Sequence, residues 1–181
     1  MEIDQLKKIA IKYSPDEYFL HIYFVYKIAM DLHRVYGGNK KVIAAAALLH
    51  DIGFHLDREN HEIVGAQLAT SELKRLKFKA QDIAQIADCI IAHNAKQHKP
   101  KTIEEKIVSS SDAASKVLYA PLFGLLSNKP PRQKSAWVLK YIDKSYKKIC
   151  LPQFKKRIKK TYLQMRDLYQ ISIREEEKLK D

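Results

Sequence analysis

Cysteine is scarce in this 181-residue chain: Cys89 and Cys150 are the only two, and they have no paired spacing. That excludes a disulfide scaffold and fits a reducing, cytoplasmic compartment. Long apolar runs are missing too. The longest, Val42 to Leu49, is far too short to span a bilayer. The N-terminal MEIDQLKK is charged and has no apolar h-region, so no signal peptide is expected. There is no internal repeat, no convincing strand pattern, and no low-complexity segment beyond the charged tail EEEKLKD.

What is present is helical. Hydrophobic residues make up 46% of the chain, enough for a core without disulfides, and one helical domain, with a helical extension, is expected. The formal charge is +12. Such a balance favours anionic partners, namely phosphate esters, nucleotides or nucleic acid, although a lysine-rich solvated surface explains it equally well.

The pattern centres on Val42 to Gly53, VIAAAALLHDIG. Its first part is apolar all round, which marks a buried helix. It ends in His50 and Asp51, side chains that an interior tolerates only when they are paired or bind metal. Gly53 reads as a helix C-cap. The negative end of the helix favours a cation there.

The flanking elements supply partners. A first helix covers Glu2 to Lys12. A second opens at Ser14 as N-cap with Pro15 at the first helical position and runs to Tyr36, where Gly37-Gly38 stops it. Its apolar stripe takes in Val25, Ile28, Leu32 and Val35, and His21 shares that inward face, whereas His33 lies on another. The aromatics around His21 (Tyr18, Phe19, Tyr23, Phe24, Tyr26) could stack a base, but most are expected in the core. Asn39 caps the central helix. A loop follows from Phe54 to Asn60, then a helix from His61 to about Leu76, with His61, Gly65 and Leu68 on one face. The next, from about Ala80, ends at His93, which follows Ile90 by three and faces inward. Thr102 and Glu105 form a capping box. The helix they open carries Asp112 one turn after Val108. Pro121 and Pro130-Pro131 interrupt the chain. Helical pattern returns over 132–149 and from Pro152 to about Glu177.

The inward-facing polar residues are therefore His21, His50, Asp51, His61, His93 and Asp112. The set is imidazole and carboxylate without thiolate, which suits Mn, Fe, Co, Ni or Zn, with Mg where carboxylates dominate. His21, His50, Asp51 and Asp112 would hold one divalent ion; His61 and His93 would bring in a second, with Asp51 bridging. Two such ions could share a hydroxide and clamp a phosphoryl group. His61 and His93 could instead contact substrate phosphate around a single ion.

The order His21, His50-Asp51, Asp112 resembles the HD superfamily of metal-dependent phosphohydrolases. HDIG at 50–53 is a common form of its signature, and His61 and His93 look like the dinuclear branch. The match covers roughly residues 15 to 120. The resemblance implies an all-α fold: an HD-domain helical bundle over 1–125 with a C-terminal helical extension over 126–181 packing on it. It also implies hydrolysis of a phosphomonoester, phosphodiester or phosphoanhydride by a metal-bound hydroxide, with Asp51 catalytic and the six residues as ligands. His61 to Ala66 and the Thr102–Asp112 helix look similar to bacterial dinucleoside-tetraphosphate hydrolases. Those usually carry a lysine soon after the His-Asp pair, where this chain has Phe54, and AASKV follows Asp112 instead of their isoleucine-glutamate-proline run. The GYP segment of cyclic-dinucleotide phosphodiesterases is also missing.

Phosphate-binding cations are expected near the ligand segments: Lys116 foremost, then Arg58 and Lys99, with Lys96 and Lys101 as neighbours. His55 and His98 are loop residues that could donate a proton to a leaving group. Ser109-Ser110-Ser111 has no triad pattern around it and reads as small residues beside a packed helix. The cluster Lys155-Lys156-Arg157 with Lys159-Lys160 is a solvated face or a nucleic-acid contact, on a helix whose buried side is Phe154, Ile158, Tyr162, Met165 and Leu168 or Tyr169. The expected partner is a nucleotide-like small molecule, with nucleic acid second, no membrane, and a homodimer compatible. The rival to an enzyme is a nucleotide- or RNA-binding module on the same scaffold.

Overall fold

The computed structural model describes residues 2–14, 16–95 and 98–178. Among them are ten helices and no strand: α1 Glu2–Tyr13, α2 Asp16–Tyr36, α3 Lys40–Leu49, α4 His61–Arg75, α5 Ala80–Ala92, α6 Ile103–Leu118, α7 Ala120–Leu126, α8 Pro131–Lys148, α9 Pro152–Arg157 and α10 Lys159–Lys178. The all-α expectation holds. The chain divides into two compact units, Met1–Asp112 and Ala113–Asp181, and the division falls inside α6. Among the described residues no helix is long and apolar enough to cross a membrane. Pro15, Lys96 and the final three residues lie outside the described residues.

The first unit is built around α3. Every residue from Val42 to Leu49 is buried, and α3 packs against α1, α2 and α5, while α4 packs against α5. A short helix buried on all sides draws its stability from tertiary packing, since ten residues are marginal as a helix alone. Its start is well defined: Asn39 Oδ1 accepts from the Lys41 and Val42 amides, as expected of an N-cap. Gly37 and Gly38 reverse the chain before it at φ +75° and +88°, a region that favours glycine. Glu104 at the start of α6 accepts from the Asn39 amide at 2.9 Å, which ties α6 to the entry of α3.

Two details of α2 differ from the sequence expectation. Val35 is exposed, and none of the five aromatics near His21 is buried. Ile22, Val25, Ile28, Ala29 and Leu32 fill the core instead, because the aliphatic stripe alone completes one helix face. The Ser14 hydroxyl is buried and makes no hydrogen bond, so it does not act as a cap.

In the second unit, Val117, Ala120, Val138 and Ile142 form a buried cluster, with Trp137, Tyr146, Tyr162, Met165 and Tyr169 packed against it. Pro121 begins a short helix, α7, instead of interrupting one, which is tolerated because its missing amide falls in the first turn. A break at Ile158 separates α9 from α10. Phe154 and Ile158 are buried as expected, whereas Leu168 is exposed and Tyr169 takes the inner position.

Candidate metal centre

Five segments bring the six expected residues of the first unit together. His21 comes from α2, His50 and Asp51 from the end of α3, His61 from the start of α4, His93 from the end of α5, and Asp112 from α6. Five of the six are buried, and His61 is partly open. Asp51 is the hub. Its Oδ2 lies 3.3 Å from His50 Nε2 and 3.5 Å from His21 Nε2. Its Oδ1 lies 3.2 Å from His93 Nε2 and 3.6 Å from His61 Nε2. Asp112 Oδ1 reaches His21 Nε2 at 3.3 Å and His50 Nε2 at 3.7 Å. Two ligand groups with atoms close enough to hold an ion therefore share Asp51: His21 with His50, and His61 with His93.

The hydrogen bonds of three rings say what this arrangement needs. His50 Nδ1 lies 2.9 Å from the Ala47 carbonyl, His61 Nδ1 3.1 Å from the Arg58 carbonyl, and His93 Nδ1 2.6 Å from the Ile90 carbonyl. A carbonyl can only accept, so each Nδ1 carries the proton and donates it. In the neutral ring Nε2 is then a lone pair, and it faces a carboxylate that also only accepts. Buried acceptors that face one another require positive charge between them, from ring protons or from a bound cation. Asp51 Oδ1 is buried and receives no hydrogen bond, as a position for a cation requires. The nitrogen and oxygen donors, with each ring fixed by its second nitrogen, fit a divalent ion.

The titration behaviour follows from the same crowding. Burial alone would raise the Asp51 carboxyl, but the His50 charge and the contacts from His21, His50 and His93 outweigh it and hold Asp51 well below the usual carboxylate range. Burial likewise opposes charging His50, and the Asp51 and Asp112 carboxylates overcome it, so His50 is raised. For His61 burial wins over the pull of Asp51, and the ring is lowered.

Local geometry explains why the segments converge. His50 and His93 are the C-caps of α3 and α5, where the last helical carbonyls lack intrahelical donors, and each ring serves one of them. Gly53 is not a left-handed C-cap: among the described residues the glycines at positive φ are Gly37 and Gly38. Its role is close approach. A Cβ there would stand 2.4 Å from the His61 carbonyl oxygen and 2.6 Å from the Gly65 amide nitrogen. The glycine thus lets α4 lie directly on the chain leaving α3, which delivers His61 to Asp51.

Two neighbours of the centre lie outside the ligand set expected from sequence. Tyr18 donates to Asp51 Oδ2 at 3.0 Å and stacks on Phe54 at 5.1 Å. Glu62 is buried, with Oε2 3.4 Å from His61 Nδ1. No spacing rule points to either, because Tyr18 lies one turn from His21 amid other aromatics and Glu62 looks like an ordinary first-turn acid. Of the expected cations, Arg58 lies over Phe54 at 5.0 Å, and the Phe54 ring edge meets His61. Lys99 is exposed. Lys116 follows Asp112 by one turn of α6, and its ammonium lies 5.9 Å from the Tyr141 ring in the second unit. His55 is exposed, edge-on to Tyr18, and His98 is exposed. Ser109, Ser110 and Ser111 are buried, as small residues on a packed helix should be.

This fold and this histidine–aspartate centre define a class. A family model described as HD domain matches residues 18–116, more than half of the chain, and the chain belongs to the HD domain family, a superfamily of metal-dependent phosphohydrolases. A solved structure named a predicted HD superfamily hydrolase, from an uncultured Thermotogales bacterium, shares the fold at a TM-score of 0.56 and 19% identity, over 87% of this chain and 89% of the other. A curated relative, a tRNA (cytidine(56)-2'-O)-methyltransferase from Picrophilus torridus, is 30% identical over 118 residues. These are 60% of this chain and 35% of the relative, so the chain spans about a third of that protein's length.

Proposed function

We propose that the chain is a two-metal phosphohydrolase that opens a phosphorus–oxygen bond in a nucleotide-like ester or anhydride. The observation that carries this reading is the division of Asp51, with one oxygen turned to His21 and His50 and the other to His61 and His93. In this reading His21, His50, Asp51 and Asp112 would hold one ion, and His61 and His93 with Asp51 would hold the other. Bound ions of this kind supply an activated water at neutral pH and neutralise charge on the phosphoryl group.

The protein's own residues do the rest. The Nδ1–carbonyl bonds of His50, His61 and His93 fix the rings so that Nε2 points inward. Tyr18 holds one oxygen of Asp51 in place. Arg58, beside Phe54 at His61, meets substrate phosphate, with Lys99 and Lys116 as further candidates. The half-buried Tyr18–Phe54 stack offers an aromatic wall next to the centre, which suits a substrate with a base.

The test is turnover on a panel of nucleoside mono- and triphosphates, dinucleoside polyphosphates, cyclic nucleotides and a chromogenic phosphodiester, with Mn, Fe, Co, Ni, Zn or Mg added. Metal-dependent hydrolysis that Asp51→Ala abolishes supports the reading; unchanged turnover in that variant overturns it. A second reading, an RNA-binding module without hydrolysis, draws on the relative named for tRNA. It requires RNA binding with no turnover on any member of the panel.

A further inference from the structure

The charge of this chain is segregated. Residues 1–112 hold 16 Lys and Arg against 15 Asp and Glu, together with all seven histidines. Residues 113–181 hold 17 against 6, so this smaller unit carries +11 of the formal +12. A lysine-rich composition acting evenly along the chain would distribute the excess by length, and it does not.

Within the second unit the excess gathers at one corner. From Lys144 to Met165 there are eight Lys and Arg and no Asp or Glu. The turn between α8 and α9 folds the two halves of this run together: Lys155 Nζ donates to the Lys147 carbonyl at 3.1 Å. Lys144, Lys147, Lys156, Arg157, Lys159 and Lys160 are exposed around that turn. Around the turn Ile149, Leu151, Phe154 and Ile158 face the interior, so the corner presents charge.

Helix physics does not account for the whole pattern. Lys147 and Lys148 end α8, where the helix dipole welcomes cations. Lys159 and Lys160 begin α10, where the dipole disfavours them. Lys155 and Lys156 end α9 and Lys159 and Lys160 begin α10, so the break at Ile158 gathers these four like charges within six residues. No carboxylate relieves the repulsion within the run. The pattern works against the fold, and a bound polyanion would relieve it.

We infer that the α8–α9–α10 corner is a docking surface for nucleic acid, which it holds by the phosphodiester backbone without reading sequence. An anionic membrane fits less well. An interfacial helix sets a basic face beside a broad exposed apolar one; of the apolar residues in this run Ile149, Leu151, Phe154 and Ile158 are buried, and Leu163 is the one large aliphatic that is exposed. The surface is independent of the metal centre and stands whether or not the chain hydrolyses phosphate.

The test is fluorescence anisotropy of the full chain with labelled mixed-sequence RNA and DNA oligonucleotides between about 50 and about 200 mM NaCl. The quadruple variant K155Q/K156Q/K159Q/K160Q should bind at least about tenfold more weakly at about 100 mM salt, with the log–log salt slope reduced by about 3. A control that removes four exposed lysines of the first unit, K8Q/K27Q/K74Q/K79Q, should stay within about twofold of the parent. Asp51→Asn should bind as the parent does, which separates this result from any failure of the metal reading. Should the quadruple variant not fold, K156Q/K160Q is read the same way, with a slope change of about 1.5. The inference is overturned by a parent chain that binds neither oligonucleotide at about 50 mM salt. It is equally overturned by equal losses in the corner and control variants, or by sedimentation with phosphatidylserine vesicles in place of oligonucleotide binding.

Discussion

At the scale of single residues, Asp51 is the point at which the two ligand groups meet. It lies between four imidazoles, three of which have their Nδ1 protons committed to backbone carbonyls. His93→Ala takes one donor from the Oδ1 side alone. The expected result is loss of one of two bound ions with the other retained, read by elemental analysis of the purified chain, and a fall in turnover of at least about a hundredfold. Tyr18→Phe removes one hydrogen bond to the Asp51 carboxylate and leaves the ring in place; metal affinity should drop by about tenfold, read by competition with a chelator. The six inward polar residues were legible in the sequence because each departs from an otherwise apolar helix face. Tyr18 and Glu62 were not, since a tyrosine among aromatics and an acid in a first helical turn depart from nothing.

At the scale of elements, the close crossing of α4 over the end of α3 positions half of the centre. Gly53→Ala would force a Cβ against backbone atoms of His61 and Gly65 at 2.4 and 2.6 Å, and backbone cannot yield as a side chain does. The expected cost is about 1–3 kcal/mol, seen as a lower melting temperature, together with weakened binding at the His61–His93 side. The sequence reading of Gly53 as a C-cap shows what local pattern lacks: a glycine after a helix is as readily a contact as a turn, and only the partner helix decides between them.

Another element contact has a definite pH dependence. Lys12 and Tyr13 of α1 donate to Glu72 of α4 at 2.8 and 2.7 Å. These hydrogen bonds, Lys12 first, hold the Glu72 carboxyl below its ordinary range. A carboxyl depressed on folding stabilises above its unfolded pKa, and the contribution is lost as pH falls through the folded value. The gap in melting temperature between the parent and Glu72→Gln should be full at neutral pH and shrink below about pH 4.3.

For the whole molecule, two units divide the labour in composition as well as in space: the histidines belong to the first and the excess positive charge to the second. The all-helical class was legible from periodicity alone. The HD family was legible because the ligand order over 21–112 survives without any knowledge of packing, and the family match over 18–116 agrees with it. The charge segregation was hidden in a single net value, and it emerged only when the boundary between the units was known. An ion that binds the folded chain and not the unfolded one raises stability by mass action. A saturating divalent metal should therefore raise the melting temperature of the parent, and a chelator should lower it. Asp51→Ala should respond to neither.

The most direct measurement is the number of divalent ions bound per chain, by elemental analysis and by manganese titration, for the parent and for Asp51→Ala. The account expects two in the parent and none held tightly in the variant, because both ligand groups share that carboxylate. A parent that binds no divalent ion, or a variant that keeps both, would contradict it.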